Sequence, residues 1–178
     1  MSDAMQIRPL SRDEIEQIWS IDRSELTETI YRLESGALVP YSVYFDMRGW
    51  PPGEAELYGP LLYACFDRGG AFTGAFDGPR LVGVAVLDTL WLGPKRDLLQ
   101  LKFLHVGHGY RDQGLGARLF ARAQAQARER GARGLYVSAT PSEHTVRFYQ
   151  RMGCVLAAQP DPELFALEPE DIHFACPV

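Results

Sequence analysis

The stretch Leu98–Leu119, LLQLKFLHVGHGYRDQGLGARL, predicts a buried strand, a glycine-rich turn and the opening of a helix, in that order. Such an order makes an anion site. The start of a helix leaves backbone N–H groups unpaired, and the helix dipole adds partial positive charge there. Gly114 and Gly116 carry no Cβ, so a phosphate can approach the main chain, and Arg111 offers a fixed cation beside it. Two common phosphate loops are excluded. The dinucleotide pattern G-x-G-x-x-G fails from Gly107, where Asp112 takes the third glycine's place, and from Gly114, where Leu119 does. The P-loop pattern has its spacing at Gly109 and Gly114, but Leu115 stands where a lysine is required.

Composition places the chain among ordinary globular proteins. Its 178 residues are 46% hydrophobic and 23% charged, which predicts one domain over residues 1–178 with a substantial core. Cys65, Cys154 and Cys176 are odd in number and scattered, so neither disulfides nor a zinc site is expected, and no metal centre is predicted. Met1–Leu10 is too polar for a secretion signal, and the longest apolar run, Leu81–Leu87, is too short to span a membrane. A reducing cytoplasm and no membrane partner are the expectation. The net charge of −5 hides an asymmetry: residues 1–67 carry twelve acids and five bases, residues 95–151 eleven bases and four acids. A polyanionic ligand suits the second block and a cationic one the first. The arginines spread around helices and no recognition motif is present, so no nucleic-acid partner is expected.

Periodicity and breakers give the remaining elements. Met5–Pro9 reads as a strand, and Ser11–Glu14 is a capping box opening a helix with Ile15, Ile18 and Trp19 on one face. Leu26–Leu33 and Ala37–Phe45 read as strands around a Glu34–Gly36 turn, with Pro40 confining the second to a sheet edge or a loop. Glu54–Asp67 has helical periodicity despite Pro60. Ala71–Phe76, Leu81–Leu90 and Leu98–Val106 form a meander; Leu115–Arg130 is a helix ended by Gly131, and Leu135–Ala139 a buried strand. Thr140–Glu143 is a second capping box, with Thr140 as cap, opening a helix that runs to Met152. Cys154–Ala158 and Ile172–Cys176 read as strands flanking an acidic, proline-rich loop, Pro160–Asp171. The fold class is therefore α/β with a mixed sheet, mostly antiparallel, with one parallel strand pair near the glycine loop.

Arg111-x-x-Gly114-x-Gly116 after a strand ending in Val106 resembles the acetyl-CoA pyrophosphate loop of the GNAT superfamily of N-acetyltransferases. Tyr110-Arg111, and Phe148, Tyr149 and Gly153 in SEHTVRFYQRMG, fit family motifs; Ser142, Thr145 and Cys154 depart from them. The order of elements matches the family's from Met5 onward, with residues 26–63 as an acceptor-side insert. The resemblance implies a GNAT-like fold in which acetyl-CoA, the co-substrate, lies in a splay between Leu98–Val106 and Leu135–Ala139. Leu104, His105 and Val106 would meet the pantetheine arm, and Arg111, Asp112, Gln113, Gly114, Leu115, Gly116 and Ala117 the pyrophosphate. Ser142 would join the cofactor site from Tyr149's helix face. A backbone N–H near Leu104 would hold the developing oxyanion, and Tyr149 would protonate the leaving thiolate.

The base is left open between Asp88, a carboxylate of the insert and water. Gln100 and Lys102 occupy the family's base positions: Gln100 cannot take a proton, and Lys102 could do so only with its pKa strongly lowered. His105 falls on the opposite face unless a bulge re-aims it. Trp50, Gln100 and Lys102 are the candidate acceptor contacts. The implied activity is acetyl transfer to a primary amine of a small molecule or peptide, in a possible homodimer; the alternative is a catalytically silent acyl-CoA-binding module.

Overall fold

The computed structural model describes residues 4–178. In chain order it contains β1 (Gln6–Pro9), a 3-10 helix (Arg12–Ser20), β2 (Glu25–Glu34), β3 (Ala37–Met47), α1 (Glu54–Asp67), β4 (Ala71–Asp77), β5 (Arg80–Leu92) and β6 (Leu98–Val106). A 3-10 turn (His108–Tyr110), α2 (Leu115–Glu129), β7 (Gly134–Ala139), α3 (Glu143–Arg151), β8 (Val155–Leu156), α4 (Pro162–Leu167) and β9 (Ile172–Pro177) follow. Seven strands form one sheet in the order β1-β4-β5-β6-β7-β9-β8, and β2 and β3 form a separate hairpin. All pairings are antiparallel except β6–β7, which runs parallel only from Leu98–Gly134 to Gln100–Tyr136 before the strands part. The mixed sheet with one splayed parallel pair is the expected architecture.

Core packs on both faces of this sheet. One side holds Leu99, Leu101, Leu119, Phe120, Leu135 and Val146 beneath α2 and α3; the other holds Ile15, Ile18, Leu62, Phe72, Val86 and Phe103 beneath α1 and the 3-10 helix. β5 is buried from Leu81 to Asp88, which explains its nearly unbroken apolar run.

Several local expectations change. The capping-box helix is 3-10 throughout. Its buried residues Ile15 and Ile18, continued by Ile21, recur every third position, the repeat of a 3-10 rather than an α-helix. The Ser11 box does form at its start: Ser11 N–H donates to Glu14 Oε2 at 2.8 Å. The β2–β3 turn places Ser35 and Gly36 at φ of 50° and 78°, as a two-residue primed hairpin turn requires. Pro40 lies within β3 opposite Tyr31, tolerated because a two-stranded sheet is all edge. Ser142, not Thr140, caps α3. The Pro141 carbonyl is already engaged by Tyr31 N–H at 2.9 Å, which ties the hairpin to the start of that helix.

The loop Pro160–Asp171 contains α4. Asp161 caps it by accepting from Glu163 and Leu164 N–H at 3.1 Å, with Pro162 in its first turn. Cys154 and Cys176 are joined as a disulfide, against expectation. The Val155–Ala175 pairing of β8 with β9 brings the residues on either side of it face to face. The compartment argument built on unpaired cysteines therefore fails; only Cys65 is free among the described residues. No helix among them is long and apolar enough to cross a membrane.

Candidate active site

A bulge in β6 organises the site. Val86 faces Phe103 and Leu87 faces Leu101, so Lys102 is an extra residue on β6. Leu99 and Leu101 point toward α2, but beyond the bulge Phe103 joins the opposite core. His105, two residues further, shares that face and meets Phe103 and Trp50 with ring centroids 5.1 and 4.9 Å away. The bulge therefore puts His105 on the face of Phe103 and Trp50. Burial there, and then the charges of Arg23 and Arg111, push its pKa down to about 3, so it is neutral and a poor proton acceptor.

The same register fixes the backbone. Gly107 N–H donates to Val82 O at 2.8 Å, so the odd-numbered residues Phe103 and His105 bond to β5. Leu104 and Val106 alternate with them and turn their N–H groups toward the splay, where β7 no longer pairs. Arg111 Nε donates to the Val106 carbonyl at 3.0 Å, and Nη1 to the Ser24 carbonyl at 3.0 Å. This guanidinium is a tether for the loop as well as a cation at its edge.

At the glycine turn, Gly114 caps α2 at φ 78°, a conformation that suits glycine, and Asp112 before it lies at 60°. The N–H groups of Leu115, Gly116 and Ala117 begin the helix, with no acidic residue in its first turn. The Gly116 requirement differs from the expected one: a Cβ there would meet Phe148 Cε2 at 3.3 Å, so this glycine sets how closely α2 and α3 pack.

One cavity of about 630 Å³ connects these parts. Leu104, His105, Val106, Arg111, Asp112, Gly114, Gly116 and Ala117 line it, as do Gln100, Lys102 and Tyr149. Three of the predicted cofactor contacts do not reach its wall with their side chains. Gln113 turns its Nε2 back to the Gly109 carbonyl at 3.2 Å, and Leu115 points into the core. Ser142 is buried at the cap of α3, its hydroxyl donating to Thr145 Oγ1 at 3.0 Å. The residues present fit a pyrophosphate-bearing thioester: free helix-start N–H groups, a left-handed glycine, an open strand edge and a wall that reaches Tyr149.

Tyr149 is 6% exposed and packs against Phe120, Phe148 and Phe174. Burial, with the charge of Asp171, pushes its pKa above the usual phenol range and keeps the hydroxyl protonated.

Of the proton acceptors expected earlier, Asp88 and Lys102 are engaged with each other, while Glu54 of the insert and Glu25 just before it line the cavity. Asp88 is fully buried, with Arg68 Nη2 at 2.7 and 2.8 Å, Thr89 N–H at 2.6 Å and Lys102 Nζ at 3.2 Å. Burial alone would raise its pKa; hydrogen bonds from Arg68 and the charge of Lys102 outweigh it and hold the carboxyl below its ordinary range. Lys102 is an ion-pair partner rather than a base. Trp50 is no part of the cavity wall: its N–H donates to the Ile21 carbonyl at 3.0 Å and its ring packs on Trp19.

Arg23, Glu168 and Asp171, which sequence reasoning missed, line the cavity with Tyr58 and Glu54 of the insert. Asp171, at the head of β9, accepts from Ser138 Oγ at 2.8 Å and lines the cavity. Burial first, opposed by the Ser138 hydrogen bond and reinforced by Glu168, raises its pKa to about 6. Tyr58 donates to Glu168 at 2.9 Å, and Arg23 pairs with Glu54 at 3.4 Å. Of the insert's aromatic residues only Tyr58 lines the cavity; Tyr44 and Phe45 are exposed on the hairpin. A signal for Asp171 existed: it directly precedes a strand that, if antiparallel to Leu135–Ala139, begins at the splayed end.

Solved structures share this fold. A nourseothricin acetyltransferase superposes with TM-score 0.73 at 23% identity, covering 98% of this chain and 99% of its own. A protein described as a streptothricin acetyltransferase, from Bacillus anthracis str. Ames and in complex with acetyl coenzyme A, gives 0.74 at 18% identity, covering 99% of each chain. The PaiA N-acetyltransferase of Thermoplasma acidophilum, in complex with coenzyme A, gives 0.65 at 15%, covering 99% of this chain and 100% of its own. No curated protein matches the sequence. The sequence model described as "Acetyltransferase (GNAT) family" matches residues 28–154. The chain belongs to the acetyltransferase (GNAT) family, and is an acyltransferase with acetyl-CoA as its co-substrate.

Proposed function

We propose that this protein is an N-acetyltransferase that moves the acetyl group of acetyl-CoA to a primary amine of a small molecule or peptide by direct attack. The observation that carries this reading is one continuous cavity joining the α2 helix start, the Leu104 backbone edge, Tyr149 and Asp171.

Bound acetyl-CoA supplies the acetyl group as a thioester. The N–H groups of Leu115, Gly116 and Ala117 receive its pyrophosphate. Asp171 takes a proton from the acceptor ammonium and frees the lone pair that forms the C–N bond. The Leu104 N–H donates to the carbonyl oxygen as negative charge builds on it. Tyr149 gives its proton to the sulfur as the C–S bond breaks, and the second proton shed by the nitrogen returns Tyr149 to its starting state. The net release is one proton, from Asp171 to solvent.

Free thiol released from acetyl-CoA in the presence of a panel of primary amines tests the reading. Release that depends on the amine, with a matching acetylated product, supports it. Uptake of acetyl-CoA with no amine-dependent release would assign the chain to the acyl-CoA-binding alternative.

A further inference from the structure

The acceptor end of the cavity gathers Arg23, Glu54, Tyr58, Gln100, Glu168 and Asp171. Three carboxylates there face one guanidinium. Arg23 compensates Glu54, from which it lies 3.4 Å. Among the described residues the Glu168 carboxylate receives only the Tyr58 hydroxyl, and the Asp171 carboxylate only the Ser138 hydroxyl. These hydrogen bonds support negative charge without cancelling it. Lys102 lines the same cavity, but its ammonium is held at Asp88 beside Arg68 and is not among the charges that shift Asp171. Of the basic groups, Arg23 is the one whose charge reaches Asp171 enough to lower its pKa, and it is outweighed by burial. Glu54 is likewise raised, by burial first and also by Glu168. Charge removed from water is stable only when paired, so this end of the cavity is built to be completed by cations.

A second observation is independent of charge. Gln100 is 7% exposed, lines the cavity, and its carboxamide has no hydrogen-bond partner among the described residues. Its polar atoms keep contact with the open space of the cavity, so a molecule that fills the cavity can meet them with a hydrogen bond in place of solvent. Beside it Tyr58 and Phe103 meet edge to face, with centroids 5.4 Å apart, and present an aromatic wall to a cation or its methylene stem.

Resting on the transfer reaction above, we propose that the acceptor is an aliphatic amine that carries a second cationic group. The reacting ammonium sits at Asp171, the second ammonium at Glu168 and Tyr58, and the Gln100 carboxamide oxygen accepts an N–H from the chain between or beside them. The two positive charges match the two carboxylates that Arg23 leaves uncompensated.

The test compares a linear alkane diamine, the monoamine of equal length and the matching ω-amino acid, as substrates and, with saturating CoA, as ligands in calorimetric titration. The diamine is expected to exceed the monoamine by about ten- to a hundredfold in kcat/KM and in affinity, as one charge-assisted contact allows, and the ω-amino acid to be the poorest. Glu168→Gln is expected to bring the diamine-to-monoamine ratio toward one through KM rather than kcat. Should that variant not fold, Tyr58→Phe removes the hydroxyl that steadies Glu168 and is expected to narrow the same ratio. Equal use of monoamine and diamine by an enzyme that binds acetyl-CoA and turns over would overturn the proposal and leave the transfer reaction standing. Absence of turnover with every amine would overturn both.

Discussion

Tyr149 on α3 and Asp171, just before β9, line one cavity, and the aspartate's charge adds to the burial that keeps the tyrosine hydroxyl protonated. The pair is in opposite states of readiness. The phenol holds its proton at neutral pH, and the carboxyl, raised to about 6, has mostly lost its own while staying basic enough to take one back. Two groups whose surroundings drive their pKa values apart suit an acid and a base in one reaction.

Tyr149→Phe is expected to lower kcat roughly ten- to a thousandfold, around the lower part of the range for a proton-transfer group. Calorimetric affinity for acetyl-CoA is expected to change little. An unaltered kcat would remove Tyr149 from the acid role.

Asp171→Asn is expected to lower kcat/KM roughly a hundred- to ten-thousandfold. In the parent protein the pH profile is expected to fall on the acid side with an apparent pKa near 6, because the base must be ionised; the variant is expected to lose that limb. Stability carries the opposite sign. The folded carboxyl binds its proton more tightly than the ordinary 3.8, so its contribution is full at low pH and is lost as pH rises through about 6. Urea unfolding of parent and variant between those values measures it, and parallel stability profiles would contradict the shift.

Asp88→Asn is expected to act on stability. It leaves Arg68 and Lys102 without their shared carboxylate, which costs about 3 kcal/mol, the low end for a broken buried pair because Arg68 keeps 33% of its side-chain exposure. The acid limb of the pH profile is expected to persist in the folded variant. Loss of that limb would return Asp88 to the list of bases.

Cysteine alkylation in denaturant without reductant is expected to label one thiol, that of Cys65. Reductant is expected to expose the other two and lower stability by about 3 kcal/mol, as expected for a loop of this length, with 22 residues of separation. Three labelled thiols before reduction would contradict the Cys154–Cys176 bond.

Much of this arrangement was legible in the chain because it is local. Gly114 and the Leu115 helix announce their turn through spacing, and Phe148-Tyr149 mark their helix by type and position. What escaped depends on partners remote in sequence. Nothing in LLQLKFLHV marks Lys102 as a bulge; the extra residue exists only against Val86 and Leu87 of β5. Asp171 gains its role from the antiparallel course of β9 beside β7, and Cys154 finds Cys176 through the same sheet edge. Trp50 was a candidate acceptor contact, but its N–H found the Ile21 carbonyl and its ring found Trp19, so packing claimed it.

Calorimetric titration with CoA and acetyl-CoA tests the central claim most directly. Saturable uptake of both at one site is expected, weakened by a side chain at Gly114, where φ is 78° and the loop's backbone depends on glycine. Heat of dilution alone from both ligands would contradict a cavity that holds a nucleotide diphosphate at the start of α2.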